Sequence, residues 1–246
     1  MKDNFSHRSE KYAQFRPSYP DAFYQFILAH VSRKERAWDC GTGNGQVAGE
    51  LANYFREVFA TDISTNQLQH AVQKKNIRYM VEEAGQASFS DDFFDLIIVA
   101  QAIHWFDFEK FYRQVSRTAK ANALFVAAGY GLMQIDEEAD RIIDHLYKDI
   151  TGKYWDDERL YVDEEYRTIP FPFPEIAAPQ IFIETSWNLE QLTGYLNTWS
   201  GVQHYIEATG TNPLEHVKED LAKCWQGKNE KKITFPMMIR AGRVNG

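Results

Sequence analysis

An α/β fold built on a parallel sheet is predicted for this 246-residue chain by three features of its first half. Short apolar runs alternate there with helical patterns, as strand–helix units require. Asp95–Ala100 carries Leu96, Ile97, Ile98 and Val99 in succession, which leaves no polar face and marks a strand covered on both sides. A glycine-rich turn, Gly41-Thr42-Gly43-Asn44-Gly45, falls between a strand pattern and a helix pattern.

Arg36–Asp39 is the first strand, and Gln46 to Tyr54 the helix after the turn. Glu57–Thr61 is the second strand, ending at Asp62. Ser64 then starts a helix, and Gln67 three residues later predicts a capping box. Ile77–Val81 is a third strand and Asp95–Ala100 the fourth. Asp107 caps a helix to about Ala119, and Ala123–Ala128 is a buried fifth strand. After Gly131 the pattern changes. Asp136–Lys148 reads as a helix with Ile142, Ile143 and Leu146 on its apolar side. An aromatic and acidic stretch follows from Tyr154 to about Ile176, and its Ile169–Pro174 segment must be extended. Gln180–Glu184 resumes as a strand, and Asn188 caps a single helix to about Trp199. Pro213–Trp225 suggests another helix. Lys232–Arg240 is a last strand, which Pro236 assigns to an edge or a bulge. The expected organisation is an N-terminal lid region over 1–30, a ligand-binding α/β core over 31–130, a cap over 131–178, and completing strands and helices over 179–246.

At about 150 residues per domain the length gives one to two domains, enough for a core without disulfides or metals. The chain carries 27 Lys and Arg against 35 Asp and Glu, a net charge of −8, with the basic residues scattered. A nucleic-acid partner is therefore not expected. Two cysteines, Cys40 and Cys224, make no disulfide framework and suggest a reducing cytoplasm. The polar first ten residues lack a signal-peptide core, and no apolar run approaches the ~20 residues of a membrane helix. No membrane partner is expected, and the expected state is a monomer or homodimer. His145, His204 and His216 show no metal-ligand spacing, so no metal is expected.

The glycine turn is the most informative segment. Glycines between strand and helix permit positive φ and close approach of a ligand to the backbone. They do not by themselves separate a dinucleotide site from another nucleotide-like site. Asp39, two residues before the first glycine, tilts the choice. Beside a pyrophosphate its carboxylate would be repelled, by ~4 kcal/mol at 4 Å and an effective dielectric near 20. Beside an ammonium or a sulfonium it would be attracted, and S-adenosyl-L-methionine (SAM) carries both. Asp62, at the end of the second strand, can accept bonds from both ribose hydroxyls.

These residues resemble the class I SAM-dependent methyltransferases of the type 11 group, and within them the trans-aconitate and small-carboxylate methyltransferases. Phe5-Ser6, Tyr12-Ala13 and Phe15-Arg16-Pro17-Ser18-Tyr19-Pro20 are similar to that group's N-terminal signature. Asp39 to Gly45 resembles its first motif and Asp62-Ile63-Ser64 its ribose-binding acid. Ala100-Gln101-Ala102-Ile103-His104-Trp105-Phe106 is similar to its strand-four segment, and Asn197 to Gln203 to a late block. Trp38 departs from the small aliphatic residue usual in strand one, Gly85 stands where an acid is frequent, and Ala87-Ser88 replace a leucine-proline pair.

The resemblance implies a Rossmann-like, seven-stranded, mostly parallel sheet with helices on both faces and an inserted helical or loop cap. It implies SAM as cofactor, S-adenosyl-L-homocysteine as its product, and a small-molecule acceptor, with O-methylation of a small carboxylic acid as the expected reaction. Asp39, Gly41, Thr42, Gly43 and Gly45 would hold the methionine portion, Asp62 the ribose, and Glu83 and Ala84 the adenine. Ile63, Gln67 and Gln101 complete the expected cofactor set. Methyl transfer from a sulfonium requires alignment and exclusion of water, and a base only if the acceptor is protonated. A cationic anchor and an aromatic enclosure therefore suit an ionised carboxylate. His104, Arg16 and Tyr12 are the expected catalytic groups, and Tyr19, Trp105 and Trp199 the acceptor contacts. The competing readings are a SAM-binding sensor or partner subunit without catalysis, and an NAD-dependent oxidoreductase on a similar sheet; within the enzyme reading a hydroxyl, amine or carbon acceptor stays open.

Overall fold

The computed structural model describes residues 15–245. The expected catalytic residue Tyr12, with Phe5, Ser6 and Ala13, lies outside them. Among the described residues helix α1 (Asp21–His30) is followed by β1 (Arg36–Cys40), α2 (Gln46–Leu51), β2 (Glu57–Asp62), α3 (Thr65–Gln69) and β3 (Ile77–Val81). Then come β4 (Phe94–Ala100), α4 (Phe108–Thr118), β5 (Ala119–Tyr130), α5 (Glu137–Asp144), α6 (Arg159–Asp163) and β6 (Glu175–Ile176). The chain closes with β7 (Phe182–Trp187), α7 (Leu189–Leu196), α8 (Ser200–Thr209), α9 (Lys218–Cys224) and β8 (Lys231–Val244).

The strand order is β3-β2-β1-β4-β5-β8-β6, with β7 also paired to β8, so the sheet has eight strands rather than seven. β1 to β5 are parallel, and β8 runs antiparallel to β5, β6 and β7. The added strand arises because β8, 14 residues long, outruns any single neighbour. Its first half pairs with β7 and residues 241–242 pair with the two-residue β6. The expectation of an edge or a bulge for Lys232–Arg240 is corrected to a handover: the pairing passes from β7, up to Pro236, to β5, from Met237, and β8 as a whole lies between β5 and β6. Pro236 is tolerated because the β5 ladder ends one residue away, at Tyr130–Met237, where its missing N–H is not needed.

Successive residues of the central strands bury opposite faces, the period of two expected of a sheet covered on both sides. Ala37, Leu96, Ile98, Leu124 and Val126 face one core with Phe23, Ile27, Leu51 and Leu192. Trp38, Ile97, Val99 and Phe125 face the other with Phe111, Val115 and Phe173. Trp38 is fully buried, packs on Phe89, Phe94 and Phe111, and donates from Nε1 to Thr61 Oγ1 at 2.9 Å. Its indole N–H is thus satisfied by the neighbouring strand, which makes a large aromatic residue workable there.

Helix α1 packs into the first core through Phe23 and Ile27, and of the described residues before it Arg16, Pro17 and Tyr19 line the crevice. Asp107 and Asp136 cap α4 and α5 as expected. Asn188 forms a full capping box with Gln191, but α7 stops at Leu196 and a separate α8 starts at Ser200. The capping box expected at Ser64 is only half formed: Ser64 Oγ accepts from Gln67 N at 3.2 Å, while Gln67 Oε1 is buried with no partner among the described residues.

Candidate active site

The carboxyl ends of β1, β2 and β4 open onto a crevice, where an open α/β sheet binds its ligand. It holds two neighbouring cavities. The first is lined by Asp39, Gly41, Thr42, Gly43, Asp62, Ile63, Gln67, Gln101 and Trp105, and roofed by Arg16, Pro17 and Tyr19. The second is lined by Arg16, Gln101, His104, Trp105, Tyr130, Trp155, Arg159, Tyr195 and Trp199. Arg16, Gln101, Trp105 and Tyr130 border both.

In the first cavity the loop after β1 takes positive φ at Gly41, Gly43 and Gly45. Gly45 is also required by space, since a Cβ there would run into the Tyr79 hydroxyl. Asp62 holds the loop, accepting from Gly43 N and Ser64 N at 2.9 Å each. Asp39 is 1% exposed; its Oδ2 accepts from Thr42 Oγ1 at 2.5 Å and Ala48 N at 2.9 Å, and its Oδ1 has no partner among the described residues. Burial pushes the Asp39 carboxyl up to about 7, against the Thr42 and Ala48 hydrogen bonds that pull it down.

Two buried acceptor oxygens without partners among the described residues, Asp39 Oδ1 and Gln67 Oε1, therefore belong to residues that line one cavity with Asp62, the acid at the expected ribose position. These acceptor oxygens fit a ligand that brings cations and hydroxyls, and the two carboxylates would repel a pyrophosphate. SAM fits them: Asp39 and the glycine loop would hold the amino-acid portion, and Asp62 and Gln67 the ribose side.

The second cavity is assembled from separate elements. His104, in the turn after β4, is buried, and its Nδ1 lies 2.9 Å from the Tyr166 hydroxyl. Burial, then the nearby Arg159 and Arg16 charges, lowers its pKa to about 3, so the imidazole is neutral. Arg16 Nη1 donates to the Tyr130 hydroxyl at 3.0 Å, and its guanidinium lies 5.5 Å from the Tyr195 ring centre. Arg159 Nε donates to the Tyr147 hydroxyl at 2.6 Å and to Asp163 at 3.2 Å, with the guanidinium over Tyr147 and Trp155. Its terminal nitrogens make no hydrogen bond among the described residues. Gln101, at φ +55, ties the two strand ends together by accepting from Tyr130 N at 2.8 Å.

Of the expected site residues, Arg16, Tyr19, Asp39, Gly41, Thr42, Gly43, Asp62, Ile63, Gln67, Gln101, His104, Trp105 and Trp199 line one cavity or both. Gly45 shapes the loop from behind. Glu83 and Ala84 stand outside both cavities: Ala84 is buried in the second core, and Glu83 accepts from the Gln86 side chain. Asn44, Gln46, Tyr130, Trp155, Arg159 and Tyr195 line the crevice without having been singled out. For Arg159 the only sequence signal is an arginine set in an acidic and aromatic stretch.

A parallel sheet with a glycine loop after its first strand, an acid closing its second and a cation-seeking wall between them defines a SAM-binding α/β enzyme. The comparisons with known proteins agree. The methyltransferase-domain family model matches residues 38–127. A candidate methyltransferase of Dictyostelium discoideum is 34% identical over 228 residues, covering 91% of this chain and 87% of its own length. A candidate SAM-dependent methyltransferase of Saccharomyces cerevisiae is 27% identical over 169 residues, 63% of this chain and 58% of its own. The solved structure of a candidate type II methyltransferase from Anaeromyxobacter dehalogenans superposes with a TM-score of 0.86 at 37% identity, over 93% of this chain and 98% of that one. The chain belongs to the class I SAM-dependent methyltransferase family. It is an enzyme whose methyl donor is SAM, and the oxidoreductase and non-catalytic readings fall. No described helix is long and apolar enough to cross a membrane.

Proposed function

We propose that this enzyme methylates a small carboxylic acid on oxygen, forming the methyl ester. The observation that carries the reading is the second cavity itself: a neutral His104 and two guanidinium groups, Arg16 and Arg159, line it together with Trp105, Tyr130, Trp155, Tyr195 and Trp199. Planar guanidinium groups match the two oxygens of a carboxylate. The aromatic walls exclude water and accept an apolar body.

SAM supplies a methyl group on a sulfonium, an already activated carbon, and leaves as S-adenosyl-L-homocysteine. What remains for the chain is to bind and aim the acceptor. Arg159 and Arg16 bind the anion, Trp105 and Gln101 border both cavities, and the rings keep the junction dry. A carboxylate is ionised at neutral pH and needs no base. An imidazole with a pKa near 3 is a poor base for an alcohol or a protonated amine, which supports an acceptor that needs none. Esterification also removes the charge the arginines bind, so the product is held less tightly than the substrate.

The test is methyl transfer from label-bearing SAM to a panel of small carboxylates, alcohols and amines. The expected product is a base-labile methyl ester made only from the carboxylates. Arg159→Gln is expected to raise the acceptor KM about tenfold or more while the SAM Kd stays fixed. Label that enters alcohols or amines and resists base would overturn the reading.

A further inference from the structure

Tyr166 is fully buried, yet it lies in a loop with no place in the sequence-level site. It and Glu165 both adopt left-handed backbone, at φ +60 and +56, and neither is a glycine. That backbone is unfavourable for a residue with a Cβ, so two in succession persist only where the surroundings impose them. Here they do. Arg240 Nη1, on β8, donates to the carbonyls of Tyr166 at 3.2 Å and Ile169 at 2.5 Å. Arg240 is itself paired with Glu175 on β6 and stacked over Phe171. The Tyr166 amide donates back to Tyr161 O at 2.8 Å.

What this anchoring delivers is one hydroxyl. The Tyr166 Oη sits 2.9 Å from His104 Nδ1, with the two rings 5.9 Å apart. An independent feature of β5 makes room for it: a Cβ on Gly129 would stand 2.9 Å from the same hydroxyl. With Nδ1 engaged, Nε2 is the nitrogen left for the cavity that His104 lines, and it makes no hydrogen bond among the described residues.

A neutral imidazole has one N–H and one lone pair, and the partner of one nitrogen decides what the other presents. We propose that Tyr166 is a positioning residue for the acceptor: its hydroxyl donates to His104 Nδ1 and fixes the Nε2–H tautomer, so that the acceptor pocket lined by Arg16 and Arg159 also holds a neutral hydrogen-bond donor. The direction of that bond rests on the carboxylate reading, because an anion in the pocket requires a donor at Nε2. In the opposite tautomer a lone pair would face the anion. Losing the phenol leaves both tautomers populated and the ring less constrained. A competent fraction near one-half doubles the apparent Kd, and loosening of the contact adds to that.

The test combines nitrogen NMR with binding, on the full chain loaded with S-adenosyl-L-homocysteine. In wild-type protein labelled with 15N-histidine, and with His104 assigned by His104→Gln, Nε2 is expected to show the protonated pyrrole-type shift and Nδ1 the pyridine-type shift from pH 5 to 9. In Tyr166→Phe both resonances are expected to move to intermediate values. Benzoate, the probe carboxylate, is expected to bind two- to tenfold more weakly to that variant, with the S-adenosyl-L-homocysteine Kd unchanged. A proton on Nδ1 in the wild type overturns the proposal, and this outcome does not depend on any variant folding. Tyr166→Phe that keeps both the wild-type shifts and the wild-type benzoate affinity overturns it as well. If the tautomer is as stated while benzoate and other small carboxylates fail to bind wild-type enzyme, the carboxylate reading falls and the positioning of His104 by Tyr166 stands.

Discussion

The two halves of the crevice are made in different ways. The cofactor half is chiefly backbone: a glycine loop set by positive φ and held by Asp62 through Gly43 N and Ser64 N. The acceptor half is chiefly side chains brought from Arg16, His104, Tyr130, Trp155, Arg159, Tyr195 and Trp199, on segments scattered over most of the chain. A backbone site needs particular residues at fixed spacing and leaves a motif. A side-chain site needs only the right groups at the right points in space, so it leaves little pattern, and it can be remodelled without disturbing the cofactor.

That contrast predicts a clean crossing of two variants, and it carries the largest effects. Asp62→Ala removes two charge-assisted bonds to the loop and the acid at the ribose position. It is expected to weaken SAM binding about a hundredfold or more in a calorimetric titration, with the fold intact by circular dichroism. Arg159→Gln is expected to leave the SAM Kd within about twofold. Wild-type SAM affinity in Asp62→Ala, or loss of SAM binding in Arg159→Gln, would break the division between the halves.

The same contrast explains what could be read in advance. The central strands were legible because a buried parallel strand such as Leu96–Val99 has no polar face to disguise it. Asp39, the glycines and Asp62 were legible because spacing encodes them. β6 was not: two residues paired to the end of a long strand carry no periodicity of their own. The break between α7 and α8 was hidden because Asn188 caps the first helix fully and the apolar pattern runs on beyond it. Arg159 and Tyr166 were missed for a third reason. They reach His104 through tertiary packing, and nothing within their own stretch distinguishes them from the acidic and aromatic residues around them.

A second prediction concerns the cofactor half alone. With its pKa raised to about 7 by burial, Asp39 is about half protonated at neutral pH before a cation arrives. SAM, which is cationic, favours the ionised form and so lowers that pKa on binding. Below pH 7 the proton must be displaced, and affinity is expected to fall about tenfold per pH unit. Between pH 7.5 and 6, titrations in buffers of different ionisation enthalpy are expected to show up to one proton released per SAM bound. A flat profile would show that Asp39 is already ionised and that its second oxygen has another role.

The smallest effect is on stability, and there the two halves act with opposite sign. His104 titrates near 3 in the folded protein against 6.5 in an unfolded chain. Between those values the unfolded state binds the proton first, so stability is lost as pH falls through 6.5. Asp39 titrates near 7 when folded against 3.8 unfolded, so the folded state binds its proton first and stability is gained over much the same window. At pH 5 each contribution is on the order of 2 kcal/mol, and in the wild type they largely offset one another. Single variants uncover them. Relative to wild type, His104→Gln is expected to gain on the order of 2 kcal/mol between pH 7 and pH 5 in urea unfolding, and Asp39→Asn to lose a similar amount. Parallel pH profiles for all three proteins would mean that neither group carries the charge state the buried crevice imposes on it.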